Sequence, residues 1–317
     1  MKRTMLALFL SPWLAGAAYA GDPQPPTPPA RPERAERPNR VERSPHPPMA
    51  PLPPLPPMSN GPAGSSTATL DVKGTVTVRA DVLSADLEVV AGGGKQVKAQ
   101  LIDSSGAIAL QQNGDRVEVS LSSKSGWPHV PAGIDGKLRL EVPSGTNVEL
   151  TSASGDIAVR DTNGNVRLRT ASGEVKLRKV ASVEVMAVSG DVVVENASGE
   201  VRLRTVSGDA QVSQWGNAKL EYGTTSGDLD WTGACKAGCR IEARSTSGDV
   251  KLRMTPDSSF DLRYASHSGD VSDDLKMQTL EQNDGRHGGT SLHARYGKGE
   301  GLIEAQTFSG DLHIARK

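Results

Sequence analysis

Nine copies of Ser-Gly-acid lie from residue 154 onward in this 317-residue chain, beginning at Ser154, Ser172, Ser189, Ser198, Ser207, Ser226, Ser247, Ser268 and Ser309. Seven end in Asp and two in Glu, at Glu174 and Glu200. Repeated carboxylates suggest two kinds of chemistry. Some β-rolls bind calcium through Gly- and Asp-rich repeats. That cation wants roughly six to eight oxygens, and one acid per turn offers too few. Glycan-cleaving enzymes instead need titrating groups that converge on one reacting centre. Here the acids recur singly, and the positions between them are basic or mixed: Arg167, Arg169, Glu184, Arg202, Arg204, Lys219, Glu221, Glu242 and Arg244. The reading is therefore no catalytic residue, no cofactor and no metal site, with a polysaccharide-active β-helix enzyme as the alternative.

Three smaller constellations remain. Arg167 and Arg169 should share an outward face with Arg202 and Arg204, two coils and about 10 Å apart at the strand spacing, with Glu184 and Met186 between. A polyanion could lie there, or the face could simply be solvated with charges of both signs. Cys235 and Cys239 are the only cysteines. Outside the cytoplasm a disulfide is the default for such a pair, and it would staple the turn Lys236-Ala237-Gly238. His267, Asp270, Asp273 and Asp274 gather near one turn, as a metal site or as surface decoration.

The elements that must position these residues follow from the glycines. The main column is Gly155, Gly173, Gly190, Gly208, Gly227, Gly248, Gly269, Gly289 and Gly310, in steps of 17 to 21 residues. A second column runs about halfway between, at Gly164, Gly199, Gly216 and Gly238, with Ser182 in the same role in one coil. Each turn acid is followed by apolar-polar alternation, as in Val175-Lys176-Leu177-Arg178 and Val201-Arg202-Leu203-Arg204. Period-two alternation puts one face in and one face out. A single coil cannot bury its apolar face, but stacked coils can. One inward file is then Ile157, Val175, Val192, Ala210, Leu229, Val250 and Leu312. The next is Val159, Leu177, Val194, Val212, Trp231, Leu252 and Ile314. Gly supplies positive φ at the bends, and Ser and Asp side chains bond the nearby backbone. The fold class is all-β: a single-domain β-solenoid of two-strand coils. Residues 70 to 143 alternate less regularly and read as its first, capping coils.

The chain begins with Lys2 and Arg3, an apolar run from Met5 to Leu14, and Ala18-Tyr19-Ala20, the pattern of a cleaved signal peptide over residues 1–20. No Cys follows, so lipid attachment there is not expected. Residues 21–62 hold 16 of the 21 prolines. The segment 21–66 reads as a disordered Pro-rich tether: a leader with no specific partner, a spacer, or a ligand for a groove-type partner. About 40 residues at roughly 3.1 Å each could reach on the order of 120 Å. The solenoid then occupies 67–317. Net charge is −1, which argues against a nucleic-acid partner, the aromatic content of 3% is low for a sugar-binding or RNA-stacking surface, and no later apolar run is long enough to cross a membrane as a helix.

Leu138-Arg139-Leu140-Glu141-Val142-Pro143 leads into Val148-Glu149-Leu150, Ser154-Gly155-Asp156 and the serial repeats. The chain closes with Tyr296-Gly297-Lys298-Gly299-Glu300-Gly301-Leu302-Ile303-Glu304-Ala305 and Thr307-Phe308-Ser309-Gly310-Asp311. Over roughly residues 70 to 317 this resembles the bacterial toast-rack family of β-strand-repeat proteins, often labelled adhesins. The resemblance implies a β-helix-like stack in a bacterial cell-envelope protein, periplasmic or secreted, and carries over no catalytic residue. The expected function is a non-catalytic envelope scaffold or adhesin-like binding protein, its partner an envelope protein or polymer. A self-assembling element, associating through exposed strand edges at the solenoid ends, is a further alternative.

Overall fold

The computed structural model describes residues 66–104, 106–122, 136–214, 218–284 and 289–317. The signal segment 1–20 and almost all of the Pro-rich stretch 21–66 lie outside the described residues, as does Gly216. Within them the chain forms 25 β-strands in two sheets, of 12 and 13 strands. The central coils each give one strand to each sheet, as Glu200–Ser207 and Ala210–Gln214 do. Neighbouring coils pair in parallel register: Val201 faces Val183 and Leu220, and Val212 faces Val194 and Trp231.

This register assembles the inward files residue by residue. Ile157, Val175, Val192, Ala210, Leu229, Val250 and Leu312 follow one another along one sheet. All are buried, as is the file that contains Trp231. On the facing sheet, two small side chains lie between two bulky ones, which fill the space between the sheets as a close-packed interior requires. Tyr222 is followed along its file by Ala243, Ala305 and then Tyr264. The buried phenols keep their polar ends satisfied. Tyr222 donates to the Gly227 and Asp228 carbonyls at 3.3 Å, and Tyr264 to the Gly310 carbonyl at 2.8 Å. Trp231 Nε1 donates to Gln214 Oε1 at 3.3 Å, which in turn reaches the Gly199 carbonyl through Nε2 at 3.1 Å.

The bends explain the glycine column. Gly173 has φ 112°, and a Cβ there would lie 2.2 Å from the Gly155 carbonyl oxygen. The same contact recurs from Gly190 onto Gly173, Gly208 onto Gly190, Gly227 onto Gly208 and Gly248 onto Gly227. Both the dihedral and the 4.8 Å stacking leave no room for a side chain.

Two features depart from a simple serial stack. The final coil, Gly301–Ser309 with Leu312–Arg316, does not sit at the end. It is wedged between the coil of Arg240–Ser247 and Val250–Met254 and the coil of Phe260–Ser268 and Val271–Asp273. Gly310 therefore stacks on Gly248, and Gly269 on Gly310. Gly289 is not in the column. It precedes Thr290–Tyr296, which runs antiparallel on the outer edge of Phe260–Ser268. At the other end the coil containing Thr77–Val82 and Asp86–Gly92 is likewise interposed, between Arg116–Ser122 with Lys137–Pro143 and Asn147–Ser152 with Ile157–Arg160. Antiparallel strands overlie both ends: Thr67–Asp71, Gln96–Ile102 and Ala107–Asn113 at one, Gln278–Asp284 and Thr290–Tyr296 at the other. These are the irregular capping elements.

Candidate functional site

The turn acids form a ladder. Each aspartate in the column except the last, Asp270, accepts through Oδ1 the backbone N–H of the acid in the next coil. The links are Asp86 to Asp156 at 2.9 Å and Asp156 to Glu174 at 2.9 Å. They resume with Asp191 to Asp209 at 3.0 Å, Asp209 to Asp228 at 2.9 Å, and Asp228 to Asp249, Asp249 to Asp311 and Asp311 to Asp270 at 2.8 Å each. Glu174 breaks the series. Its longer side chain is instead 2.6 Å from Lys176 Nζ. Glu200 is not in this column, because Gly199 belongs to the opposite bend and stacks on Ala181 and Ser182. Beside the ladder runs an open groove of about 690 Å³, lined by Glu174, Asp191, Asp209, Asp228, Asp249 and the outward residues of the adjoining sheet.

On the other side of the same bend the residue before each Ser-Gly faces outward yet is often apolar. Val188 is 55% exposed, Val206 51% and Phe308 57%. The stacked Ser189, Ser207, Ser226, Ser247 and Ser309 put Val188 beside Val206 along the bend, with Thr225 and Thr246 between Val206 and Phe308. Phe308 stacks on the ring of His267 at 4.7 Å. The alternation signals this file: a position whose parity points outward but whose residue type does not.

The charged face of the other sheet is a network. Arg167 donates to Glu184 at 2.8 Å and to Glu149 at 3.3 Å. Arg202 pairs with Glu200 at 2.8 Å and Glu221 at 3.4 Å, and Arg204 with Glu221 at 3.0 Å. The Arg167 guanidinium holds the Glu184 carboxyl below its usual range, and Arg204 does the same to Glu221. Arg169 is exposed and lies opposite Met186. The four arginines thus share one face, with Arg167 and Arg202 each bridging two glutamates.

Cys235 and Cys239 are bonded, with S–S 2.05 Å and Cα–Cα 5.2 Å. Both are buried, and Cys235 Sγ packs against Gly301, where the inserted coil begins. The His267 cluster disperses: Asp270 joins the ladder, Asp273 accepts the Leu275 and Met277 N–H groups at 2.9 and 2.7 Å, and Asp274 faces His313 at 3.7 Å. Among the described residues no group of three or more His, Cys, Asp or Glu is arranged to hold a metal ion, and no helix is long and apolar enough to cross a membrane.

The ladder's geometry limits its chemistry. The accepting aspartates each spend one carboxylate oxygen on a backbone N–H, and successive acids are held a strand spacing apart in a row, an arrangement that fixes the bends.

A family model described as "Toastrack DUF4097" matches residues 77–315. No curated protein matches the chain. Among solved structures, a candidate cell adhesion protein from Clostridium sporogenes ATCC 15579 is similar at 12% identity, covering 79% of this chain and 99% of its own, with a TM-score of 0.28. A candidate adhesin from Bacteroides fragilis NCTC 9343 is similar at 14% identity, covering 79% and 96%, with a TM-score of 0.34.

Proposed function

The chain belongs to the Toastrack DUF4097 family, and on that fold we propose a non-catalytic, adhesin-like binding protein of the bacterial cell envelope. The observation that carries this reading is the use of the turn acids. Asp191, Asp209, Asp228, Asp249 and Asp311 each accept, through the carboxylate, a backbone N–H of the neighbouring coil, and Asp270 closes the row as a donor. The repeated acids are thereby occupied in holding the stack, and the long outward faces are left for contact. The neighbouring exposed Val188 and Val206 support a contact surface on this bend.

The export pattern of residues 1–20 supports a periplasmic or secreted location, and the Pro-rich composition of residues 21–66 is in keeping with a spacer. The partner in this reading is an envelope protein or polymer. Co-sedimentation of the mature protein with purified envelopes, run beside a reducing-end assay on the same material, tests it. Saturable binding without glycan cleavage is expected. Turnover of envelope glycan, or no retention at all, contradicts it.

A further inference from the structure

Gly223 has no structural reason to be glycine. It lies within Lys219–Ser226, a strand paired on both sides near the middle of its sheet. It is absent from the residues with positive φ, and a Cβ built on it meets nothing within 4 Å. Gly173 or Gly233, by contrast, is crowded to under 3 Å by its neighbours. Glycine inside a strand weakens it, and such a position often marks close approach of a ligand.

Gly223 lies in the floor of a broad, open depression of about 500 Å³ on the outward face. Its flanks are Arg204 and Arg244, the direct cross-strand partners of Gly223. Both are well exposed, at 64% and 61%. Each touches a glutamate on one side only: Arg204 reaches Glu221 at 3.0 Å and Arg244 reaches Glu242 at 3.4 Å. A guanidinium carries five donors, so both have donors to spare for a second anion. Thr225, Thr246 and Gln306 complete the rim with hydroxyl and amide groups. The row through this depression reads Arg169, Met186, Arg204, Gly223, Arg244, Gln306. Its arginines recur every second strand, about 9.6 Å apart, which is close to the length of a disaccharide.

We propose that this row binds an acidic polysaccharide with one carboxylate per disaccharide, one acidic sugar sitting over Gly223 between Arg204 and Arg244. Guanidinium is suited to bidentate recognition of carboxylates. The mixed rim of donors and acceptors suits sugar hydroxyls better than a bare inorganic ion. The proposal rests on the binding-protein reading above and names its ligand class. It draws Arg244 and Gly223 into the site. It gives Arg167 and Arg202, already bridging two glutamates each, the lesser part.

The test is calorimetric titration of the full mature chain with a hyaluronan octasaccharide, against a chitin octasaccharide and inorganic sulfate. Gly223→Val keeps every charge and raises a branched side chain, of a type suited to strands, between Arg204 and Arg244 in the floor of the depression. It should weaken hyaluronan binding at least tenfold while leaving the melting temperature unchanged or higher. Arg204→Gln and Arg244→Gln should each weaken binding similarly and flatten its salt dependence. No hyaluronan binding by the wild type, equal binding of the uncharged octasaccharide, or wild-type affinity in Gly223→Val overturns the proposal. Envelope co-sedimentation separates the two levels: if it persists unchanged in Gly223→Val, only the ligand assignment fails, and if the wild type shows none, the binding reading itself fails.

Discussion

The Asp209 carboxylate accepts the Asp228 backbone N–H at 2.9 Å, reaching from one coil to the next through Oδ1. This single relationship, repeated along the bend, explains why the motif prefers Asp to Glu. Glu174 is the natural exception, and it supplies an experiment. Its side chain lies against Lys176, and the ladder resumes only at Asp191. Glu174→Asp should restore the missing link and stabilise the protein by about 1 kcal/mol, the usual net worth of one hydrogen bond. Chemical denaturation measures this, with hydrogen exchange at the Asp191 amide as the local readout. No gain in stability and no added protection would show that the ladder is incidental.

The bends should tolerate nothing larger than glycine. Gly173→Ala places a methyl 2.2 Å from the Gly155 carbonyl and demands φ 112°. A loss beyond about 4 kcal/mol is expected, in the range that marks a specific steric mechanism. Melting curves of Gly173→Ala and Gly223→Ala should differ sharply, the second being neutral or stabilising.

The two faces of one strand should differ as strongly. Leu203 is buried and Arg202 exposed. Leu203→Ala should cost about 2–5 kcal/mol, whereas Arg202→Ala removes surface ion pairs worth at most about 1 kcal/mol. Comparable effects in denaturant melts would contradict the inward and outward assignment.

The strand pattern made much of this fold legible and left its order at the ends unread. Alternation identified Val201 and Leu203 as inward and the column glycines as bends, because both depend only on local parity and local φ. It could not tell that Gly301–Ser309 lies between Arg240–Ser247 and Phe260–Ser268. All three strands carry the same alternation, so parity is silent about which coil neighbours which. Gly289 kept the column's spacing while preceding an antiparallel strand, for the same reason. Gly223 escaped notice because its significance is what surrounds it: open space and two cross-strand arginines. The exposed Val188, Val206 and Phe308 were legible as a conflict between parity and residue type.

The inserted coil makes a structural prediction of its own. Removing residues 301–317 takes out strands that are paired on both sides. The two coils that flank them would lose their shared neighbour and expose unpaired edges. Limited proteolysis should then cleave within residues 260–300, and the unfolding transition should broaden or disappear. A modest fall in melting temperature with a sharp transition would mean that the last coil is peripheral.

Acid should weaken the charged face in a defined window. Arg167 and Arg204 lower the Glu184 and Glu221 carboxyls below their ordinary value of 4.5. A group whose folded value is depressed lends stability that is present above its unfolded value and is lost as pH falls through the folded one. The melting temperature should therefore decline below pH 4.5, and Glu184→Gln should show a shallower decline than the wild type. Parallel profiles for both proteins would remove these pairs from the account.

The most direct measurement of the central claim is a comparison of Asp209→Asn and Asp209→Glu with the wild type, in thermal melts with and without calcium and in a reducing-end assay on envelope glycans. Asn keeps an Oδ1 acceptor for the Asp228 N–H but removes the charge, whereas Glu keeps the charge and displaces the acceptor. If the turn acids hold the stack, Asn should melt close to the wild type and Glu should melt lower. Calcium should change none of the three, and no variant should alter glycan release. A calcium-dependent rise of many degrees that Asp209→Asn abolishes, or glycan cleavage that it abolishes, would contradict the account and return the acids to metal binding or catalysis.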